Sequence, residues 1–216
     1  MNRRNALQRL GVLALLASPV GLVLGHGHGH GHEQKDFQEL KSVIPVMSPG
    51  AEGKIEVLGF FHYGCSHCRE FEPLLAQWAG RLPGDVVFAK VPVVWGKGLD
   101  DLARMHYALQ VSKRADLHKA IFAAVQDQRL NFGDPKVVRN WAKANKLDVS
   151  AFMGIYNSNG VDIHVKRAQQ TGGRYRIDSV PTIAVGGRFL TSPSMTGSYE
   201  AALKIVDSLI ERVRKG

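Results

Sequence analysis

Phe60-Phe61-His62-Tyr63-Gly64-Cys65-Ser66-His67-Cys68-Arg69-Glu70-Phe71-Glu72 is the stretch from which the fold of this chain can be read. It contains both cysteines of the protein, Cys65 and Cys68, in a C-x-x-C arrangement. The apolar run Ile55–Phe61 before it reads as a strand, and Arg69–Ala79 after it reads as a helix. A thiolate at the first turn of a helix faces unpaired backbone N–H groups and the positive end of the macrodipole, so its pKa falls. Cys65 stands at that end. Cys68, one turn further in, faces the same side and can close a short disulfide with it. The pair is a redox centre, a metal half-site or two ordinary thiols, and the rest of the chain bears on which.

Outward from this stretch, Phe60 and Phe61 break strict alternation, as in a central strand buried on both faces. The helix carries Phe71, Leu74, Leu75 and Trp78 at core spacing, and Pro73 inside it predicts a kink near Arg69. Pro83-Gly84 turns the chain into a second β-rich run, Val86–Val94, with Lys90 among apolar neighbours. From Gly96 to about Lys166 the pattern is helical. Asp100–Gln110 and Ala115–Leu130 place Leu102, Met105 and Leu109, then Leu117, Ile121, Phe122 and Val125, at helical spacing. Asp134-Pro135 reads as a cap and first turn of a helix through Trp141. Phe152–Tyr156 and Val161–Ala168 read as two short helices. Thr182–Val185 and Arg188–Thr191 are strands joined by the hairpin pair Gly186-Gly187. Ser198 opens a last amphipathic helix with Leu203, Val206, Leu209, Ile210 and Val213 on one face. Phe37–Pro49, broken by Pro45 and Pro49, reads as an approach to the domain.

Met1–Gly25 reads as a secretory signal: Arg3, Arg4 and Arg9 lead, Leu10–Leu24 is apolar, and cleavage is expected after Gly25, with Ala17 the alternative. The apolar run is shorter than the roughly 20 residues of a spanning helix, and Pro19 and Gly21 interrupt it. In an exported protein an isolated C-x-x-C reads as a working redox pair. His26, His28, His30 and His32 alternate with glycines, so 26–36 is expected to be a linker, with metal capture by the imidazoles as the alternative. A hydrophobic content of 44% and a charged content of 22% are those of a globular domain. Two cysteines are too few for a disulfide scaffold. The net charge of +9 comes with no Arg/Lys stripe interleaved with aromatics, so no nucleic-acid partner is expected.

The order β-α-β, helical insert, β-β-α, with C-x-x-C after the first of these strands and Val180-Pro181 before the hairpin, resembles the DsbA family of periplasmic thiol–disulfide oxidoreductases. The resemblance spans roughly 37–216. The stretch 60–72 is similar to the family's active-site segment. Ser179-Val180-Pro181-Thr182-Ile183-Ala184-Val185-Gly186-Gly187-Arg188 is similar to its proline loop. The resemblance implies an α/β, thioredoxin-like fold with an inserted all-helical domain: 37–95 as its first part, 96–167 as the helical insertion, 168–216 as its second part. It also implies that Cys65 is the exposed nucleophile and Cys68 its partner in a redox-active disulfide, with no other cofactor. Ser66 and His67 would tune the thiolate, and Val180 with a cis Pro181 would form the substrate-binding loop. The implied activity is the introduction of disulfides into unfolded or folding exported proteins with free cysteines. A periplasmic monomer is expected, its signal peptide removed, reoxidised by a DsbB-type quinone-linked membrane oxidase.

Two departures from the family pattern stand out. Ser66-His67 replaces the common Pro-His between the cysteines, adding an N–H and a hydroxyl. The position where the family often buries a carboxylate beneath the disulfide is Gly59. Lys90 matches a family lysine that would then lack its partner, so it is expected to snorkel to the surface. Any acid assisting proton transfer is expected from Glu56 or water. The alternatives are a periplasmic disulfide isomerase or reductase, against which Val180 counts because such isomerases carry Thr there, and a His-rich metal carrier. Zinc at Cys65 and Cys68 would need two further ligands.

Overall fold

A computed structural model describes residues 35–48, 50–96 and 100–216. The expected signal peptide, Met1–Gly25, and the Gly-His repeat of the linker lie outside the described residues.

The first element is a two-residue strand, β1 (Gln38–Glu39), followed by β2 (Ile55–Phe61), α1 (Ser66–Ala79) and β3 (Val86–Pro92). Five helices come next: α2 (Asp100–Val111), α3 (His118–Gln126), α4 (Pro135–Ala144), α5 (Val149–Tyr156) and α6 (Asn159–Arg174). The hairpin β4 (Thr182–Val185) and β5 (Phe189–Thr191) follows, then the short α7 (Pro193–Thr196) and α8 (Tyr199–Arg214). The sheet order is β1-β5-β4-β2-β3; β2 runs parallel to β3, and the other neighbours pair antiparallel.

The central position of β2 follows from its sequence. Glu56 through Phe61 are all buried, and successive side chains point to opposite faces. Val57 joins Phe71, Leu75 and Trp78 of α1 and Leu203, Val206 and Leu209 of α8 on one face. Leu58 and Phe60 meet Val91, Ala168 and Tyr175 on the other. Phe61 leads into a third cluster built by the helices, including Met105, Ile121, Phe122 and Trp141. An indole N–H of Trp78 donates to Asp207 at 2.7 Å, tying α1 to α8.

Several expectations are revised. The first helix starts at Ser66, not Arg69, and continues through Pro73, whose ring removes only the N–H directed at the Arg69 carbonyl. Ala115–Leu130 divides into a single 3-10 turn, Ala115–Leu117, and α3. The expected short helix Val161–Ala168 is the 16-residue α6, because Ser158 caps it upstream and its polar last turns continue to Arg174. Strand β1 was missed: two residues carry no periodicity, and only pairing with Phe189 and Leu190 defines it.

The β4–β5 connection is three residues, Gly186 to Arg188, so β5 starts one residue later than expected. Its φ of +57° at Gly186 and +67° at Gly187 is the left-handed conformation that glycine supplies. A Cβ on Gly187 would lie 2.0 Å from the Ile44 carbonyl oxygen, while Gly84 has open space around it. Gly187→Ala is therefore expected to cost at least about 2 kcal/mol, and Gly84→Ala less than about 0.5 kcal/mol, in urea unfolding. Equal midpoints for the two variants would contradict this packing of the 40–44 segment.

Candidate active site

Cys65 is the N-cap of α1. Its φ of −89° and ψ of 116° are extended, and its sulfur accepts the Cys68 N–H at 3.2 Å. It thus occupies the position where Ser or Asp usually accepts an orphan helix N–H. This places the sulfur just before the helix, not inside its first turn. Both cysteines are free thiols here, Cys65 half-buried and Cys68 buried. The two sulfurs are pushed in opposite directions. Donation from the Cys68 thiol, opposed by partial burial and aided by the Cys68 N–H and by the charge and backbone N–H of His67, holds Cys65 down at about 6. Cys68 is driven far above the ordinary thiol range by sharing its proton with Cys65 and by burial, with Glu72 adding repulsion against a thiolate.

The proline loop lies beside this sulfur although 115 residues separate them: the Cys65 Sγ is 3.5 Å from the Val180 carbonyl oxygen. The Val180-Pro181 bond is cis. Ser66 and His67 are exposed, and the His67 ring contacts Tyr199 and Glu70. Its Nδ1 is 3.2 Å from the Tyr199 hydroxyl and 3.4 Å from Glu70, and Tyr199 itself donates to Glu70 at 2.7 Å. His67 therefore acts on Cys65 through its backbone N–H and its charge. Val180, Pro181, His67 and Tyr199 line one groove of about 450 Å³.

The helical insert grips the same segment. The Gln126 side-chain amide donates to the carbonyls of Tyr63 at 2.8 Å and Cys65 at 3.1 Å. Next to it, Arg69 makes a two-pronged ion pair with Asp127, at 2.6 and 2.8 Å. Nothing in the local pattern of α3 marked Gln126 as more than a helix terminus.

Below Cys68 lies a buried polar cluster that corrects the expectation for Lys90. Its ammonium does not snorkel outward; it pairs with Glu72, whose side chain is only 8% exposed. The other Glu72 oxygen is 3.3 Å from His118 Nε2, and His118 Nδ1 is 2.7 Å from the Tyr63 hydroxyl. His106 Nδ1 approaches the same hydroxyl at 3.3 Å. Burial alone would raise the Glu72 pKa, but His118 and Lys90 outweigh it and leave it lowered. Burial lowers His118 and, more strongly, His106. The missing acid of β2 has a steric reason: a Cβ at Gly59 would lie 2.9 Å from the Phe88 ring. Glu56 is no substitute, since its carboxylate accepts the backbone N–H groups of Met47 and Ser48. Glu72 lies one turn beyond Cys68 on α1, a spacing that puts both on one helix face and that could have identified it. Among the described residues, no three His, Cys, Asp or Glu side chains are grouped to hold a metal ion, and no helix is long and apolar enough to cross a membrane.

A DSBA-like thioredoxin domain model matches residues 56–201. The chain is 40% identical over 179 residues to the thiol:disulfide interchange protein DsbA of Bordetella parapertussis, covering 82% of this chain and 86% of that protein. It is 32% identical to the protein of that name from Pseudomonas aeruginosa, covering 83% and 84%. The crystal structure of Pseudomonas aeruginosa DsbA superposes with a TM-score of 0.78 over 84% of this chain and 93% of that one, at 32% identity. The oxidoreductase NmDsbA1 of N. meningitidis gives 0.75 over 85% and 94%, at 28% identity. The expected thioredoxin-like fold with a helical insertion is the fold observed.

Ultraviolet thiolate absorbance of the reduced protein is expected to rise with a midpoint near 6 and to report a single thiolate. A thiol with a depressed folded pKa stabilises the reduced fold fully above the unfolded value of 9.0, and that stabilisation disappears as pH falls through about 6. The thermal midpoint of the reduced form, relative to the oxidised form, should therefore climb between those two pH values. A flat difference would refute the depressed thiol.

Proposed function

This chain belongs to the DsbA family, protein thiol–disulfide oxidoreductases that introduce disulfide bonds, and we propose that Cys65 is its nucleophile and Cys68 the partner that closes the redox-active disulfide. The observation carrying this reading is the Cys65 sulfur at the N-cap of α1, half-exposed and beside the Val180 carbonyl. With the pair oxidised, a substrate thiolate attacks the Cys65 sulfur, the Cys65–Cys68 bond breaks, and a mixed disulfide forms. Cys68 leaves as a thiolate and takes up a proton. A second substrate thiolate then attacks the substrate sulfur of the mixed disulfide and releases Cys65 as a thiolate. The substrate has lost two electrons and the protein has gained them. A leaving thiolate of low pKa makes that release fast and the protein oxidising.

The groove between His67, Val180, Pro181 and Tyr199 is the place for an extended substrate segment, with the Val180 backbone available to pair with it. Ser66 and His67 tune Cys65 through the backbone and charge at the helix start. Glu72, one turn below Cys68 and facing the same small cavity, is the acid that exchanges its proton. No further cofactor is required. The substrates are unfolded or folding exported proteins with free cysteines, the site of action is the periplasm, and a DsbB-type quinone-linked membrane oxidase removes the electrons. The leader-like segment Met1–Gly25 supports export, and N-terminal sequencing of the mature protein is expected to begin at His26.

Cys68→Ala should accumulate mixed disulfides with reduced substrate proteins, whereas Cys65→Ala should form none. The Cys65–Cys68 pair at equilibrium with glutathione should be oxidising. Trapping through Cys68 instead, or a strongly reducing equilibrium, would overturn the assignment.

A further inference from the structure

The buried cluster contains groups that the exchange reaction as written does not use. Tyr63, His118, Glu72 and Lys90 come from four different segments: the loop after β2, α3, α1 and β3. His118 and Tyr63 are 7% and 1% exposed, and their 2.7 Å contact is fully interior. His118 Nε2 lies 3.3 Å from the Glu72 carboxylate, close enough for a charge contact but outside hydrogen-bond geometry; with the proton on Nε2, Nδ1 accepts the Tyr63 O–H. Donation from Tyr63 to Nδ1 favours the tautomer with the proton on the nitrogen nearest Glu72.

Two cavities flank this row of groups. A small one of about 10 Å³, the size that holds a single water, is lined by Cys68, Glu72 and Lys90. An open cleft of about 590 Å³ between β3, α2 and α6 is lined by Lys90, His106, His118, Tyr107, His164 and Arg167. Lys90 borders both. The cleft lies away from the groove that contains Val180 and Tyr199, so it gives the cluster its own approach to water.

We propose that His118, held by Tyr63, is a positioning residue that keeps the Glu72 carboxylate ionised and aimed at Cys68, and that this proton site exchanges with solvent through the cleft between β3, α2 and α6. The proposal rests on the assignment of Glu72 as the proton partner of Cys68. In the step concerned, Cys68–SH gives its proton to the Glu72 carboxylate, and the Cys68 thiolate attacks the Cys65 sulfur of a mixed disulfide. The bond to the departing thiol breaks, that thiol leaves as a thiolate, and the Cys65–Cys68 bond forms. The proton then leaves Glu72 for the small cavity that Glu72 lines, and reaches water in the cleft past Lys90, which borders both spaces. The charged and titratable groups facing Glu72 and His118 are Cys68 on α1, Lys90 on β3, Tyr63 before α1, His106 on α2, itself packed on Tyr107, and Lys119 beside His118.

The test is the single-turnover rate at which Cys68 displaces glutathione from a Cys65–glutathione mixed disulfide, measured across pH in the full-length protein. In His118→Phe the acid limb of the profile should move about one unit to higher pH, a roughly tenfold slower rate on that side. His118→Gln retains an N–H toward Glu72 and should recover most of the rate. Tyr63→Phe deletes one hydroxyl without opening the core and should shift the limb in the same direction by less, which keeps the test valid if His118→Phe fails to fold. The Cys65 titration midpoint should stay in place in all three. Wild-type profiles in His118→Phe and Tyr63→Phe, with Glu72→Gln slow, would overturn the role of His118 alone. A wild-type profile in Glu72→Gln would overturn the Glu72 assignment beneath it.

Discussion

The hydrogen bond from the Cys68 N–H to the Cys65 sulfur is the interaction on which the rest of the structure depends. It makes the sulfur the terminal acceptor of α1, so whatever positions the helix positions the chemistry. That helix is anchored by Phe71, Leu75 and Trp78 in the core beneath the sheet, and by Trp78 to Asp207 of α8. The same bond contributes to the asymmetry of the pair, next to the sharing of the Cys68 proton with Cys65. One thiol is half-buried and stabilised as an anion by the Cys68 thiol and by N–H groups, and the other is buried above a carboxylate that disfavours a second anion. Two identical side chains acquire different roles because one lies outside the first turn and the other inside it.

α1 is also where the helical insert meets the sheet. Gln126 holds the two carbonyls that precede the helix, Arg69 and Asp127 clasp it at the surface, and Glu72 reaches inward to Lys90 and His118. Burying such charges is tolerable only because each has a partner; removing one side of a buried pair typically costs about 3–5 kcal/mol. The cluster therefore constrains where the insert can sit as well as the charge beneath Cys68.

Much of this was legible in the chain. C-x-x-C, Val180-Pro181 and Gly186-Gly187 carry their meaning in neighbouring residues, and the helices with caps at Asp134 and Ser198 begin where those residues stand. The misreadings share one cause. Strand β1, the length of α6, the state of Lys90 and the place of the acid each depend on partners far away in sequence. Gly59 reads as a lost carboxylate; in the fold a side chain there would have to displace the Phe88 ring.

By itself the sequence determined most of the elements, the C-x-x-C pair and the Val-Pro segment before the hairpin, because these rest on local spacing, turn chemistry and hydrophobic period; the fold class came from the family these motifs resemble. Only the tertiary structure decided which groups set the charge around that pair. Tyr199 with Glu70, Gln126, and the row Tyr63–His118–Glu72–Lys90 are single polar residues in otherwise ordinary helices and loops. Their effect comes from being brought within hydrogen-bonding distance and out of water, a proximity that packing creates and no local pattern encodes.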